Sequence, residues 1–193
     1  MTGSLHTLPA GLPVPVDDGA TAHLPGAAVP PVTLPATSGR SVDLRLWSAE
    51  AGVLFFYPRT GEAGRPAGPE WDAIPGARGC TPQSCGFRDL AAEFAALGVR
   101  IAAVSTQDTA YQREFVERNH IPFEILSDAA LELTQALTLP TFQFAAGTGG
   151  PVTLIKRMAW YVEGGRIVTI WYPVFPPDRN AETVLAWLGE RRA

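Results

Sequence analysis

The stretch Gly79-Cys80-Thr81-Pro82-Gln83-Ser84-Cys85-Gly86-Phe87-Arg88-Asp89-Leu90 holds both cysteines of the 193-residue chain. From it onward, Phe87, Leu90, Ala91, Phe94 and Ala95 recur at the spacing of one buried helical face. Thr81 and Pro82 suit a first turn, where the missing proline N–H is no loss. The pattern predicts a helix opening at Cys80 and capped by Thr81, with Arg88 and Asp89 tying it to its surroundings. Unpaired backbone N–H groups and the helix dipole favour a thiolate at such a start. Cys85, five residues on, lies about 140° round a continuous helix and about 8 to 9 Å away between Cα atoms. A disulfide needs about 4.4 to 6.8 Å, so the two sulfurs can join only if the first turns unwind. The spacing fits a reactive thiol and a second thiol that reaches it after local unfolding better than a fixed bridge.

Working outward, Gly52 to Tyr57 reads as a continuous apolar strand of a buried position, ending at Pro58. Gly98 stops the helix and Val99 to Ser105 is the next strand, a parallel crossover that brings Cys80 to the C-terminal edge of the first strand. Further readings are a helix over 108–119 with Tyr111 and Phe115 inward, a strand over 122–126, and a helix over 128–137 with Ala130, Leu133 and Leu137 inward. Residues 140–152 read as a strand edge and a loop, 156–167 as a hairpin turning at Gly164-Gly165, and the last helix has Ala181, Val184, Leu185 and Leu188 on its inner face. His120 falls in a connection, a capping or surface histidine. Trp160, Trp171, Tyr172 and Phe175 read as core. Upstream, Val32 to Leu44 gives a hairpin turning at Thr37-Ser38-Gly39-Arg40. Residues 1–31 form an extended Pro/Gly/Ala-rich arm draped on a domain of residues 32–193; they lack the pattern of a cleaved secretory signal. In the Gly/Pro-rich loop of residues 60–79, Trp71 and Ile74 anchor the segment on the surface.

Composition narrows the class. With 46% hydrophobic and 18% charged residues there is material for one core. The net charge of -4 argues against nucleic acid or an anionic membrane as partner, and no apolar run is long enough to cross a bilayer. A metal site needs about four ligands, and besides the cysteines only His6, His23 and His120 are available, so no metal and no cofactor are expected. Two close cysteines are not a secreted disulfide scaffold, which makes the cytoplasm the default compartment.

The run Gly79-Cys80-Thr81 … Cys85 … Phe87-Arg88-Asp89 resembles the peroxiredoxins, and among them the peroxiredoxin Q (bacterioferritin comigratory protein) group. The strand ending at Pro58 and the segment from Arg157 onward are similar to theirs as well. The resemblance implies a thioredoxin-like α/β fold, a mixed central sheet flanked by helices with an N-terminal β-hairpin. It implies thiol-dependent reduction of hydrogen peroxide and organic hydroperoxides. Cys80 would become a sulfenic acid, Cys85 would condense with it to an intramolecular disulfide, and a thioredoxin-like donor would reduce that bond. Arg157 matches the arginine that contacts sulfur and peroxide; Pro58, Thr60, Gly79 and Thr81 would line the substrate site. The chain departs from the family pattern Pro-x-x-x-Thr-x-x-Cys, whose positions are Ala73 and Ala77 here, and at Ala159, another threonine position. Either the insertion in the loop of residues 60–79 loops out and returns Pro58 and Thr60 to the sulfur, the favoured reading, or Arg78, backbone N–H groups and another hydroxyl replace them. An internal resolving cysteine requires no dimer, so a monomer or weak dimer is expected. Two other readings stay open: a protein thiol-disulfide oxidoreductase, whose Cys-x-x-Cys spacing is absent, and a redox sensor or interaction module using the same disulfide switch.

Overall fold

The computed structural model describes residues 8–62, 68–145 and 151–192. Its centre is a five-stranded sheet built on β3 (Gly52–Phe56), β4 (Arg100–Ser105), β5 (Glu124–Ser127), β8 (Met158–Glu163) and β9 (Arg166–Trp171), in the order β5-β4-β3-β8-β9. β3 pairs parallel with β4 and β4 with β5; β8 runs antiparallel to β3 and β9 to β8. The sheet is mixed, and helices flank it, as expected of a thioredoxin-like fold.

The unbroken apolar run of β3 follows from burial on both faces. Successive side chains alternate. Leu54 and Phe56 join Ala102, Val104, Met158, Trp160 and Val162 in one core, while Val53, Phe55 and Tyr57 join Phe87, Phe94, Phe115, Tyr161, Val184 and Leu188 in the other. The aromatic residues read as one cluster are divided by the sheet: Trp160 and Tyr172 belong to the first face and Trp171 to the second. The β8–β9 turn carries Gly164 and Gly165 at φ 59° and 72°, which a tight two-residue hairpin requires.

The N-terminal hairpin is present, β1 (Thr33–Pro35) against β2 (Ser41–Asp43). A four-residue helix not anticipated, α1 (Leu44–Trp47), follows, its start capped by Asp43 accepting from the Leu46 N–H. α2 (Pro69–Asp72) is likewise a short helix inside the stretch read as loop. Trp71 does not merely anchor that stretch on the surface. It is buried, with its ring 4.9 Å from Phe144 and 6.2 Å from Phe142, in a separate small core with Ala77 and Leu154. Phe142 and Phe144 stand on β6 (Thr141–Ala145), which pairs with β7 (Pro151–Ile155). Residues 140–152 thus contribute strand to an antiparallel hairpin arm, and 146–150 lie outside the described residues.

Two helices are shorter than their periodicity implies. The one opening at Cys80 is interrupted: α3 (Cys80–Asp89) ends at Leu90, whose φ of -104° and ψ of 11° leave the helical region, and α4 (Ala91–Ala96) begins anew with Ala95 exposed. The one expected from Asp128 is only α6 (Glu132–Ala136). Buried Asp128 instead accepts from the N–H groups of Leu133 and Thr134 and from the Thr134 hydroxyl at 2.6 Å. That chemistry belongs to a cap, not a helix interior, and it leaves Ala130 exposed. α5 (Thr109–Asn119) is as read, capped by Asp108, with His120 closing its C-terminus in the left-handed region.

The arm is more than draped. Leu24 and Val29 are buried in the first core, the Gly26 N–H donates to Ile167 and the Val29 N–H to Gly165, and Asp18 pairs with Lys156 at 2.6 Å.

Candidate functional site

β3 delivers the chain through Tyr57 to Pro58 at the sheet edge where α3 begins. α3 seats on β3 by stacking Phe87 on Phe55, ring centroids 4.2 Å apart. It also packs against the C-terminal segment, a 3-10 turn (Pro177–Arg179) and α7 (Asn180–Arg192). Gly86 lies so close to that surface that an added Cβ would meet the Asp178 carbonyl oxygen and Ala181. The first turn is shaped by Gly79. Its φ of 104° suits glycine, and a side chain there would overlap Pro177 and Leu8. Thr81 does not cap: the helix start carries no side-chain cap bond, and Thr81 is a buried first-turn residue.

Arg157 precedes β8, one residue beyond the Phe56–Met158 pair, and so reaches the same edge. Its Nη2 lies 3.1 Å from Cys80 Sγ. Arg157 is 3% exposed and its guanidinium is held on all sides: Nε donates to the Gly76 carbonyl, Nη2 also to those of Ala77 and Arg78, and Nη1 to Gln83 Oε1. Among the described residues every other hydrogen-bond partner of this buried cation is a neutral oxygen, so the sulfur is the one partner able to carry negative charge. Gln83 is itself fully buried and donates through Nε2 to Asn180 Oδ1 at 2.9 Å, at the start of α7. The chain of contacts Cys80–Arg157–Gln83–Asn180 joins three distant segments. Sequence reasoning found the first two members and missed the last two; a glutamine three residues after the cysteine on a helix start was the available signal for one of them.

Cys85 is on the same unbroken helix, and both cysteines are thiols. Burial pushes the Cys85 thiol up, partly offset by the nearby Arg88. Arg88 pairs with Asp89 and donates to the Asn119 carbonyl on α5, the tethering expected of it. Pro58 and Thr60 are buried. The Thr60 N–H and hydroxyl both point to Gln107 Oε1, at 2.9 and 3.1 Å, and its carbonyl accepts from the Tyr111 hydroxyl. Among the described residues no hydrogen bond joins Thr60 to Cys80. The family-threonine position, Ala77, instead meets the sulfur through its backbone: Cys80 Sγ lies 3.5 Å from the Ala77 carbonyl. Arg78, 8% exposed, pairs with Asp72 at 3.2 Å. Burial also holds the Tyr57 phenol well above its usual range, so it stands in the Cys80 core as a neutral hydroxyl.

A cysteine at the first turn of a helix on a thioredoxin-like sheet, its sulfur met by a buried arginine, defines a thiol redox site. The family model described as Redoxin matches residues 24–185, and the chain belongs to that family. It is similar to peroxiredoxin Q, chloroplastic, of Arabidopsis thaliana (26% identical over 163 residues, 84% of this chain and 66% of that protein). The likeness extends to peroxiredoxin Q, chloroplastic, of Oryza sativa subsp. japonica (28% over 156 residues, 80% and 62%). The chain thus spans 62 to 66% of the length of these curated relatives. Among solved structures it resembles peroxidoxin BcpB of Mycobacterium tuberculosis, with a TM-score of 0.67 and 26% identity over 88% of this chain and 99% of that one. Xanthomonas campestris peroxiredoxin Q shares the fold at a TM-score of 0.64 and 22% identity, covering 93% and 98%.

Proposed function

We propose that this chain is a thiol-dependent peroxidase that reduces hydrogen peroxide and organic hydroperoxides. The observation that carries the proposal is the Arg157 guanidinium, buried without a carboxylate partner among the described residues and 3.1 Å from Cys80 Sγ. A cation so placed stabilises a sulfur anion, and its fork of donors also meets charge developing on a departing oxygen. The Cys80 thiolate forms an S–O bond to the terminal peroxide oxygen as the O–O bond breaks. The leaving oxygen takes the electron pair and a proton and departs as water or alcohol; sulfur is oxidised to the sulfenic acid. Gln83, anchored on Asn180, holds Arg157 in register. Pro58, Gly79 and Thr81 shape the first turn and the strand exit beside it, and Thr60 supports that edge through Gln107.

Cys85 then condenses with the sulfenic acid, forming the S–S bond and releasing water. On one continuous helix the two Cα atoms are about 8 to 9 Å apart, so the early turns of α3 unwind for this step. A thioredoxin-like dithiol supplies the two electrons that restore both thiols. The cycle is complete within one chain, as a monomer or weak dimer, in a reducing compartment such as the cytoplasm.

The test is to treat reduced protein with one equivalent of hydrogen peroxide and follow intact mass and thiols. Wild type is expected to lose two hydrogens, Cys85→Ser to gain one oxygen, and Cys80→Ser to remain unchanged. Oxygen gained at Cys85, or no rapid reaction, would overturn the assignment.

A further inference from the structure

The first described part of the arm crosses the active-site loop. Leu8 lies against Gly79, the ring of Pro15 lies against Gly76, whose carbonyl accepts from Arg157, and Asp18 is fastened to Lys156 and to the Tyr172 hydroxyl. Between arm and body is a cavity of about 320 Å³ whose walls include Val14, Val16, Ile74, Phe142, Val174 and, at one side, Arg157. Val14 and Val16 are 63% and 82% exposed. Two valines are thus held at the rim of an apolar space with little to cover them, beside the arginine that touches the reactive sulfur. The cationic neighbour Lys156 is already matched by Asp18, so the cavity asks for an uncharged apolar group.

We propose that this cavity receives the apolar substituent of an organic hydroperoxide, and that Val14 and Val16 of the arm determine specificity for such substrates over hydrogen peroxide. The inference rests on the peroxidase reading. The hydroperoxide group lies at Arg157 and Cys80, the substituent runs between the arm and Ile74, and the alcohol product leaves by the same route. Hydrogen peroxide, lacking a substituent, gains nothing from the cavity. Apolar contacts of this kind discriminate by about 10- to 200-fold per methylene-sized group in a closed pocket. A rim as open as this one falls at the lower end.

The experiment measures single-turnover oxidation of the reduced full chain by hydrogen peroxide, tert-butyl hydroperoxide and cumene hydroperoxide, for wild type, Val14→Glu/Val16→Glu and, as a second probe of the opposite wall, Ile74→Asn. Carboxylates at the rim are expected to slow cumene hydroperoxide about 10-fold and tert-butyl hydroperoxide less, leaving hydrogen peroxide within about twofold. An unchanged ratio of cumene to hydrogen peroxide rates in both variants would overturn the proposal. In parallel, cumyl alcohol is tested for slowing alkylation of Cys80. Protection in wild type and its loss in the double variant supports the cavity even if no peroxide reacts, an outcome that would sink only the peroxidase reading. No protection in wild type would remove the cavity while leaving a hydrogen peroxide reaction intact.

Discussion

Cys80 and Cys85 stand on one ten-residue helix, yet their surroundings share almost nothing. Cys80 faces a caged guanidinium at the first turn of the helix. Cys85 sits past the first turn, where burial favours the neutral thiol. In the proposed cycle, position along a helix, and not the residue type, decides which sulfur attacks and which waits. Five residues of separation would then supply both roles, with the helix keeping the two thiols apart until oxidation.

The harshest way to break this contrast is Arg157→Ala. Oxidation of Cys80 by hydrogen peroxide is expected to slow by about 100- to 1,000-fold, the effect of losing one preorganised donor of transition-state charge. Alkylation of Cys85 should hardly change, and stopped-flow thiol loss beside timed alkylation checks both. Arg157→Lys keeps the charge but loses the fork that meets carbonyls, Gln83 and sulfur together, so it should recover only part of the rate.

Gln83→Ala is gentler. It leaves Arg157 and Asn180 in place but cuts their link, and a misplacement near 1 Å costs up to about 100-fold, so a loss of about tenfold is expected. Gln83→Glu, which would give Arg157 the carboxylate partner it lacks and could not donate to Asn180 Oδ1, should not restore the rate. A merely structural role would move the urea midpoint in both variants and leave the rate per folded molecule unchanged.

The smallest effect sharpens the other side. In Cys80→Ser, alkylation of Cys85 should reach half its limiting rate above the ordinary thiol value of about 8.5. The Cys85 value is raised in the fold, so its contribution to stability is complete below the unfolded thiol value and disappears as pH rises through the folded one. A half-point at or below about 8.5 would show that the buried environment around Cys85 does not hold in solution.

Much of this was legible where periodicity or a short motif carried it. Phe87 and Phe94 read as buried and are; Arg157 read as the partner of Cys80 from the segment around it, and it touches the sulfur. What was hidden depends on contacts between distant segments. Nothing local to Leu90 announces that the helix breaks there, because leucine fits the helical face whether or not the backbone continues. Asp128 looked like the opening of a long helix because its side chain suits a cap; it caps a turn later than the apolar spacing suggested. Asn180 is 97 residues from Gln83, and no spacing rule connects them. The burial of Trp71 awaited Phe142 and Phe144 from a hairpin that glycines made hard to read.

The seating of α3 on the C-terminal segment would also govern timing in the proposed cycle. Gly79 abuts Pro177, Gly86 approaches Asp178 and Ala181, and Gln83 is hydrogen-bonded to Asn180. For Cys85 to reach an oxidised Cys80, the early turns would have to peel away from that seat. On that reading the lifetime of the sulfenic acid is a clock wound by the C-terminal segment. Loosening the Pro177–Asn180 corner would run it faster without touching either cysteine.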